Sequence, residues 1–323
     1  METAKLMKVA ELFPGGKAET ITPLSGGHIN RTFIAVKNGV PFVLQSLNSS
    51  IFSAEAVMSN IAQVEKAFTG SEGIRIPRYL PCGDRNFAEY GGEIWRMYQY
   101  AGGEPAADPY RTGLAFGEFM RIVNSRKLKL ETALPGFHDI GGYFRKFTAA
   151  AAAVPSRKPD SAVTVQLGRL LETLEQVFTP DIPKRAIHGD AKSANIVIAE
   201  TPTVLDLDTV MTGYAALDLG DMVRSAMKNG QPDMAAVSGI ARGFARGTAG
   251  LLSRAEVDSL YYGILWVTGE LAMRYLTDYI SGEGYFRRPA QECLARANQL
   301  LGQLRGFISS GDQITGIISE AFR

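Results

Sequence analysis

The chain has 323 residues, with 34 Lys+Arg against 33 Asp+Glu and 46% hydrophobic residues. A formal net charge of +1 offers no basic field to nucleic acid or to an anionic membrane surface, and 16 Phe, 12 Tyr and 2 Trp exclude the disordered class. Cys82 and Cys293 are too few for a disulfide framework or a structural zinc site and read as buried free thiols in a reducing compartment. The opening METAKLMKVAELFPGG lacks the apolar core of a signal peptide, and no apolar run approaches the roughly 18–20 residues of a spanning helix. A cytoplasmic protein is expected, with no nucleic-acid or membrane partner.

The first hundred residues read mainly as strands. Runs 20–24 and 32–37 flank the tight segment Ser25-Gly26-Gly27-His28, and Asn38-Gly39 leads into a third run over 42–47; Asn-Gly between apolar runs is the strongest short hairpin signal. Ser53 can cap a helix over 54–68, where Val57, Ile61, Val64 and Phe68 recur at helical spacing. A second hairpin follows, 87–90 and 94–100 around Gly91-Gly92. From Asp108 onward the periodicity turns helical, over 110–124, 141–153, 161–178, 233–246, 255–280 and 291–308, with Ser253-Arg254-Ala255-Glu256 a capping box. One strand-rich island, 186–210, interrupts the helices. The expected architecture is α+β: a small strand-built lobe over 1–101 and a larger, mainly helical lobe over 102–323, joined near Gly102-Gly103.

The island carries the chemistry. His188-Gly189-Asp190-Ala191-Lys192-Ser193-Ala194-Asn195 precedes the apolar Ile196-Val197-Ile198, and Leu205-Asp206-Leu207-Asp208 follows a turn at Glu200-Thr201-Pro202. Asn195 then begins one strand and Asp206 ends its partner, which brings both to one edge. Phosphoryl transfer needs a carboxylate to orient the attacking hydroxyl, oxygen ligands for magnesium and a cation on the moving phosphate. A kinase catalytic loop sets its Asp five residues before a metal-binding Asn and adds a second Asp after a hairpin. Asp190, Asn195 and Asp206 have that spacing, and Lys192 is placed to reach the γ-phosphate.

HGDxxxxN followed by LDxD resembles the aminoglycoside phosphotransferase and choline kinase superfamily, small-molecule relatives of the protein kinases. The blocks Gly26-Gly27-His28-Ile29-Asn30, Leu44-Gln45-Ser46-Leu47-Asn48, Phe137-His138-Asp139, Leu205-Asp206-Leu207-Asp208-Thr209-Val210-Met211 and Leu276-Thr277-Asp278-Tyr279 further resemble the N-acetylhexosamine 1-kinases. The resemblance implies a two-lobed protein-kinase-like fold, ATP and Mg2+ as cofactors, and transfer to the anomeric C1 hydroxyl of a hexose such as N-acetylglucosamine or N-acetylgalactosamine. By matched position it implies Asp190 as catalytic base, Asn195 and Asp206 as magnesium ligands, and Gly26, Gly27, His28 and Asn30 as the phosphate-covering turn. Asp208 matches as well, either as a ligand of a second metal or as a holder of its loop. Asp218-Leu219-Gly220-Asp221 reads as a brace, a carboxylate just before a helix.

One departure stands out. Gln45 occupies the third-strand slot in which many of these kinases carry a lysine, and glutamine donates to phosphate without bringing charge. No helix glutamate partner can be named; Glu55 and Glu65 both read as surface residues. The adenine is expected against the backbone around Gln99 to Ala101, with Met97 either at the back of that pocket or filling ordinary core. Glu270, Arg274 and Asp278 lie at helical spacing on one long helix. They form either a solvated charge ladder or a sugar-facing stripe in which Arg274 and Asp278 line the cleft, closed by Tyr285, Arg287 and Arg288. The alternatives to a sugar kinase are an aminoglycoside-like or choline-like acceptor, which calls for an acidic or aromatic pocket, and a non-catalytic nucleotide-binding regulator. A Walker-type ATPase is excluded because no GxxxxGK[ST] occurs.

Overall fold

The computed structural model describes residues 2–24, 29–228, 230–282 and 284–323. Gly26, Gly27 and His28 of the expected phosphate-covering turn lie outside the described residues. The chain forms two compact units. The first combines Met1–Pro105 with Ile122–Pro135 and Ala194–Met211, and the second combines Ala106–Arg121, Gly136–Ser193 and Thr212–Arg323. The sequence suggests a single crossing after residue 101, whereas both units are assembled from separated stretches, because the strand-rich island completes the first unit.

The first unit opens with helix α1 (Glu2–Glu11) and strands β1 (Thr20–Pro23), β2 (Arg31–Lys37) and β3 (Val40–Leu47), followed by helix α2 (Ala54–Ala67) and strands β4 (Ala88–Tyr90), β5 (Glu93–Gln99) and β6 (Glu104–Pro105). Five of these strands form one antiparallel sheet in the order β1-β2-β3-β5-β4. Asn38 and Gly39, at φ 50° and 74°, turn β2 into β3 with the left-handed backbone that this pair tolerates. Register assigns the faces, since side chains alternate along a strand. Leu44 pairs with Met97 and Phe33 with Leu44, and this face packs with Leu6, Val9, Phe13 and Trp95 as an apolar core. The opposite face carries Gln45 against Arg96. Lys37 is buried, and its ammonium donates to the carbonyls of Ala10 at 2.8 Å, Phe13 at 2.8 Å and Pro14 at 3.0 Å, which ties the end of α1 to the sheet. Ser53 stands at the N-cap position of α2 as expected, but its side chain makes no cap hydrogen bond; its N–H instead donates to the Ala133 carbonyl at 2.9 Å.

Next come helices α3 (Pro109–Val123), α4 (Ile140–Ala153) and α5 (Ser161–Val177) and strand β7 (Arg185–Ile187). The hairpin of β8 (Ile196–Ile198) and β9 (Pro202–Val204) returns to the first unit, where β8 also pairs with β6. The remaining elements are β10 (Met211–Gly213), α6 (Ala215–Ser225), β11 (Met227–Lys228), β12 (Gln231–Pro232), α7 (Met234–Thr248), α8 (Arg254–Ser281), α9 (Ala290–Ser309) and α10 (Gly311–Ala321). Helices α1, α6 and α10 are additions to the sequence expectation. Ser253 and Glu256 form the anticipated capping box of α8, whose C-terminus stops at Gly282 in the left-handed conformation. Among the described residues no helix is long and apolar enough to cross a membrane.

Helix α8 is the axis of the second unit, buried along most of its 28 residues. Helix α6 lies on it through facing glycines. A Cβ on Gly263 would fall 1.9 Å from the Ala216 carbonyl oxygen, and one on Gly220 would fall 2.4 Å from the Gly263 oxygen. Backbone cannot yield there as a flexible side chain would, so Gly263→Ala must push the two helices apart. Overpacking of this kind costs about 1–3 kcal/mol or more. The expected outcome is a thermal midpoint several degrees below wild type, measured by circular dichroism.

Candidate active site

In the second unit, β7 runs into His188-Gly189-Asp190, and the loop is held from two sides. Asp218, fully buried in the first turn of α6, accepts the N–H of His188 at 2.9 Å and of Gly189 at 2.8 Å, one on each oxygen. The brace expected of the Asp218 block is present, but it is not a helix cap: the carboxylate sits inside the helix and reaches across to the loop. Burial pushes its pKa up, against the opposing pull of the His188 charge and the two N–H groups. Gly189 adopts φ 80°, a conformation that a side chain would strain. The His188 ring lies edge-on to Phe116 and Phe119, at 5.1 and 5.4 Å between centroids. Asp190 is partly exposed and accepts from the Lys192 ammonium at 2.6 Å. This pairs the expected base with the expected phosphate cation.

The second hold is His138. Its Nε2 lies 2.8 Å from the Gly189 carbonyl oxygen and its Nδ1 lies 3.0 Å from Glu270. Two acceptors call for two ring N–H donors, which only the imidazolium supplies. Burial alone would lower the pKa, but Glu270 above all, with Asp221 and the Gly189 carbonyl, outweighs it and raises the value to about 9. The residue adopts φ 57°, unusual outside glycine and a mark of a constrained site. Asp139 beside it caps α4 by accepting the Gly142 N–H at 2.8 Å.

The first unit carries the other residues of the expected set. Asn195 lies in a short 3-10 turn just before β8, and Asp206 lies just past β9, so both flank the hairpin rather than belonging to its strands. The Leu205 N–H donates to the Asn195 carbonyl at 2.8 Å, which holds the two polar residues at one end of the hairpin. Asp206 takes the left-handed conformation, φ 59° and ψ 62°. An amide oxygen and a carboxylate are hard donors of the kind magnesium takes, which needs only one or two protein oxygens when phosphates and water complete its shell. Among the described residues no group of three or more His, Cys, Asp or Glu is gathered for a metal.

Asp208 has a different surrounding. It is buried, with Oδ1 on the Arg96 Nη1 at 2.5 Å and Oδ2 on the Asn30 amide at 2.7 Å. Of the two roles the sequence left open, this geometry supplies the holding one. Arg96 is itself only 1% exposed. Its Nε and Nη2 donate to the Gln45 side-chain oxygen at 2.9 and 2.6 Å, and its guanidinium lies 5.3 Å from the Tyr79 ring. Burial works against the charge, but Asp208 and Tyr79 outweigh it and hold the pKa above an ordinary arginine's. Gln45 also donates to the Thr32 hydroxyl at 2.9 Å. The slot that lacks a third-strand lysine therefore has a cation beside it, supplied by the paired strand. The acid comes from the Asp208 segment, while α2 presents the Met58 sulfur at 4.0 Å. Glu65 on that helix instead accepts the Tyr79 N–H at 2.8 Å. Arg96 escaped the sequence reading; the signal was an arginine paired in register with the anomalous glutamine.

The remaining expected residues divide. Asn30 is tied into the fold, its Oδ1 accepting the Asn48 N–H at 3.0 Å. Of the two places the sequence left open for Met97, strand alternation turns it, 0% exposed, toward the α1 face beside Leu44 and Trp95. Gln99 and Ala101 line a cavity of about 470 Å³ with Tyr100, Ile74, Arg75 and Thr203. In the second unit the Arg274 side chain is 13% exposed and sits 3.6 Å from Glu270, itself 2% exposed, so the helical stripe faces inward rather than forming a solvated ladder. The Asp278 carboxylate accepts the Phe286 N–H at 2.8 Å and so orders the loop that carries Tyr285. Arg288 is exposed and pairs loosely with Glu292 at 3.9 Å.

The APH family, the phosphotransferase enzyme family, matches residues 20–252, and the chain belongs to it. In fold it is similar to spectinomycin phosphotransferase in complex with ADP and spectinomycin, at 13% identity over 99% of this chain and 98% of that one, TM-score 0.62. It is similar also to a microcompartment-associated aminopropanol kinase, at 13% identity over 96% and 98%, TM-score 0.69. A choline/ethanolamine kinase family protein from Mesorhizobium loti shares 16% identity over 99% and 100%, TM-score 0.63.

Two predictions concern the buried charges. Asp208→Ala strands Arg96 without its counter-ion, which costs about 3–5 kcal/mol. In urea titrations the Arg96→Met/Asp208→Ala double variant is expected to lose clearly less than the sum of the single losses. The second concerns pH. The folded pKa of His138, about 9, lies above the roughly 6.5 of an unfolded histidine. Its contribution is therefore complete below about pH 6.5 and fades as pH rises through 9, by on the order of 3 kcal/mol. Wild type should lose stability between pH 7 and 10 by that much more than His138→Gln does, read from unfolding midpoints at each pH.

Proposed function

We propose that the chain is an ATP- and magnesium-dependent small-molecule kinase that phosphorylates the anomeric C1 hydroxyl of a hexose such as N-acetylglucosamine or N-acetylgalactosamine. The observation that carries phosphoryl transfer is the Asp190–Lys192 pair on a loop anchored at Gly189 by both Asp218 and His138. The hexose assignment is supported by the sequence blocks shared with the N-acetylhexosamine 1-kinases and by the arginine, rather than acid, at the centre of the aromatic cluster beside this loop.

In this reading Asp190 aligns the acceptor hydroxyl and takes its proton as the oxygen attacks. Lys192, already within hydrogen-bond reach of Asp190, offsets the charge that gathers on the transferred phosphoryl group. Asn195 and Asp206 would hold magnesium, which would supply positive charge against the nucleotide phosphates. Arg96 keeps Gln45 and Asp208 in fixed positions, and Gln45 has one amide proton left to offer the nucleotide once Thr32 has taken the other. Gln99 and Ala101 receive the base, and Gly26, Gly27, His28 and Asn30 cover the phosphates.

The test is a panel of hexoses, spectinomycin and choline with ATP and magnesium, the product position read by phosphorus-coupled NMR. Phosphate at C1 is expected; phosphate at C6 removes the anomeric assignment, and turnover of choline alone removes the sugar. On the active acceptor, Asp190→Asn should lose about 100–10,000-fold in kcat with nucleotide affinity kept. Asp206→Ala should lose turnover and magnesium-dependent nucleotide binding together, measured by calorimetry with and without the metal.

A further inference from the structure

The guanidinium of Arg274 is enclosed by four aromatic rings. Its central carbon lies 5.6 Å from Phe137, 5.2 Å from Tyr143, 4.8 Å from Tyr285 and 5.4 Å from Phe286. Three segments of the second unit supply them: the loop before α4, α4 itself and the loop after α8. The walls are fixed. Phe286 stacks on Tyr275 at 3.7 Å and donates its N–H to Asp278 at 2.8 Å, while Tyr285 meets Phe286 edge-on at 5.0 Å. Rings arranged around a point attract a cation through their negative faces, most strongly for organic cations that shed water easily. One ring on an arginine is commonplace; four, with Glu270 at 3.6 Å, make a receptor for a cation. The receptor adjoins the chemistry. Glu270 holds His138 at 3.0 Å, and His138 holds the carbonyl of Gly189 at 2.8 Å, one residue before Asp190.

We propose that this is a cation-binding aromatic box whose ligand is the chain's own Arg274, and that Arg274 is the specificity-determining residue barring organic-cation acceptors from the space beside the catalytic loop. The inference builds on the reading of the acceptor as a neutral sugar. A quaternary or protonated amine entering the box would have to displace a tethered guanidinium of the same charge, and Glu270 already faces both that guanidinium and the His138 imidazolium. A neutral hydroxyl compound meets no such competition and can use the exposed edge of Tyr285 as an apolar face. Removing the guanidinium while keeping the four rings leaves an aromatic lining suited to a small organic cation.

The experiment is calorimetric titration of wild type, Arg274→Lys and Arg274→Ala with tetramethylammonium chloride at constant ionic strength, with neither nucleotide nor sugar present. The alanine variant should bind at least 10-fold more tightly than wild type, and the lysine variant should behave like wild type. With ATP and magnesium added, Arg274→Ala should also phosphorylate choline at 10-fold or more the wild-type rate. An alanine variant that unfolds cooperatively and yet binds tetramethylammonium no better than wild type overturns the proposal. Should that variant fail to fold, the wild-type chain decides by NMR. The Arg274 Nε–H should be shifted upfield by the rings and exchange at least 10-fold more slowly than that of exposed Arg254, and exchange as fast as Arg254 overturns the box. Binding is read without a sugar, so a negative hexose panel leaves this result standing and a negative titration leaves the panel standing.

Discussion

A guanidinium removed from water must find its charge partners within the protein, and Arg96 shows how much structure that requirement organises. Stripped of solvent, an arginine costs several kcal/mol unless anionic and hydrogen-bonding groups replace the water. Here the replacements come from three places: Gln45 on the paired strand, Asp208 beyond the β8–β9 hairpin, and the face of Tyr79. Each is pinned in turn, Gln45 by Thr32 and Asp208 by Asn30. The sheet, the base of the glycine turn and the segment carrying Asp206 are therefore parts of one charge-neutral assembly. Gln45 brings no charge of its own, and the cation beside it is Arg96 on the paired strand.

The second unit solves a similar problem with different groups. His188, Gly189 and Asp190 form an irregular loop, and buried backbone donors in such a loop are costly without partners. Asp218 takes two of them, and His138 takes the neighbouring carbonyl. Behind His138 stand Glu270 and Arg274, so a line of alternating charge runs from the loop to the aromatic cluster. Helix α8 contributes both of these residues, which explains why its close contact with α6 through Gly263 and Gly220 matters: α6 carries Asp218 and α8 carries Glu270. A fraction of an ångström between those helices moves both supports of the loop.

Much of this was legible in the sequence. Period-two strands around Asn38-Gly39, the capping box at Ser253 and the seven longer helices are local signals, and local signals survive folding. That Asn195 and Asp206 stand at the two ends of one short hairpin was readable for the same reason, since the turn between them is local. What could not be read depends on partners distant in sequence. Arg96 looked like one more strand residue until its pairing with Gln45 and Asp208 was visible. Met97 was ambiguous because the face of a strand follows from register. Asp218 looked like a cap because Asp usually is one. The inward turn of Glu270 and Arg274 could not be separated from a surface ladder, because helical spacing is identical in both cases. Helices α1, α6 and α10 are short, and periodicity over ten or eleven residues is a weak signal.

The first unit is drawn from three separated stretches of chain, the last ending at Met211. The backbone bonds that close it join Arg75 to Pro202 and to Val204, at 2.8 Å each. During synthesis, therefore, the sheet of β1 to β5 emerges complete while its closing hairpin is still unmade. For the time needed to add more than a hundred residues, at roughly 5–20 residues per second, Arg96 faces a hole where Asp208 will be. Until then the Arg96 charge has no counter-ion, and the segment that supplies it arrives with the β8–β9 hairpin. A chain released before residue 208 lacks the carboxylate that pairs with Arg96.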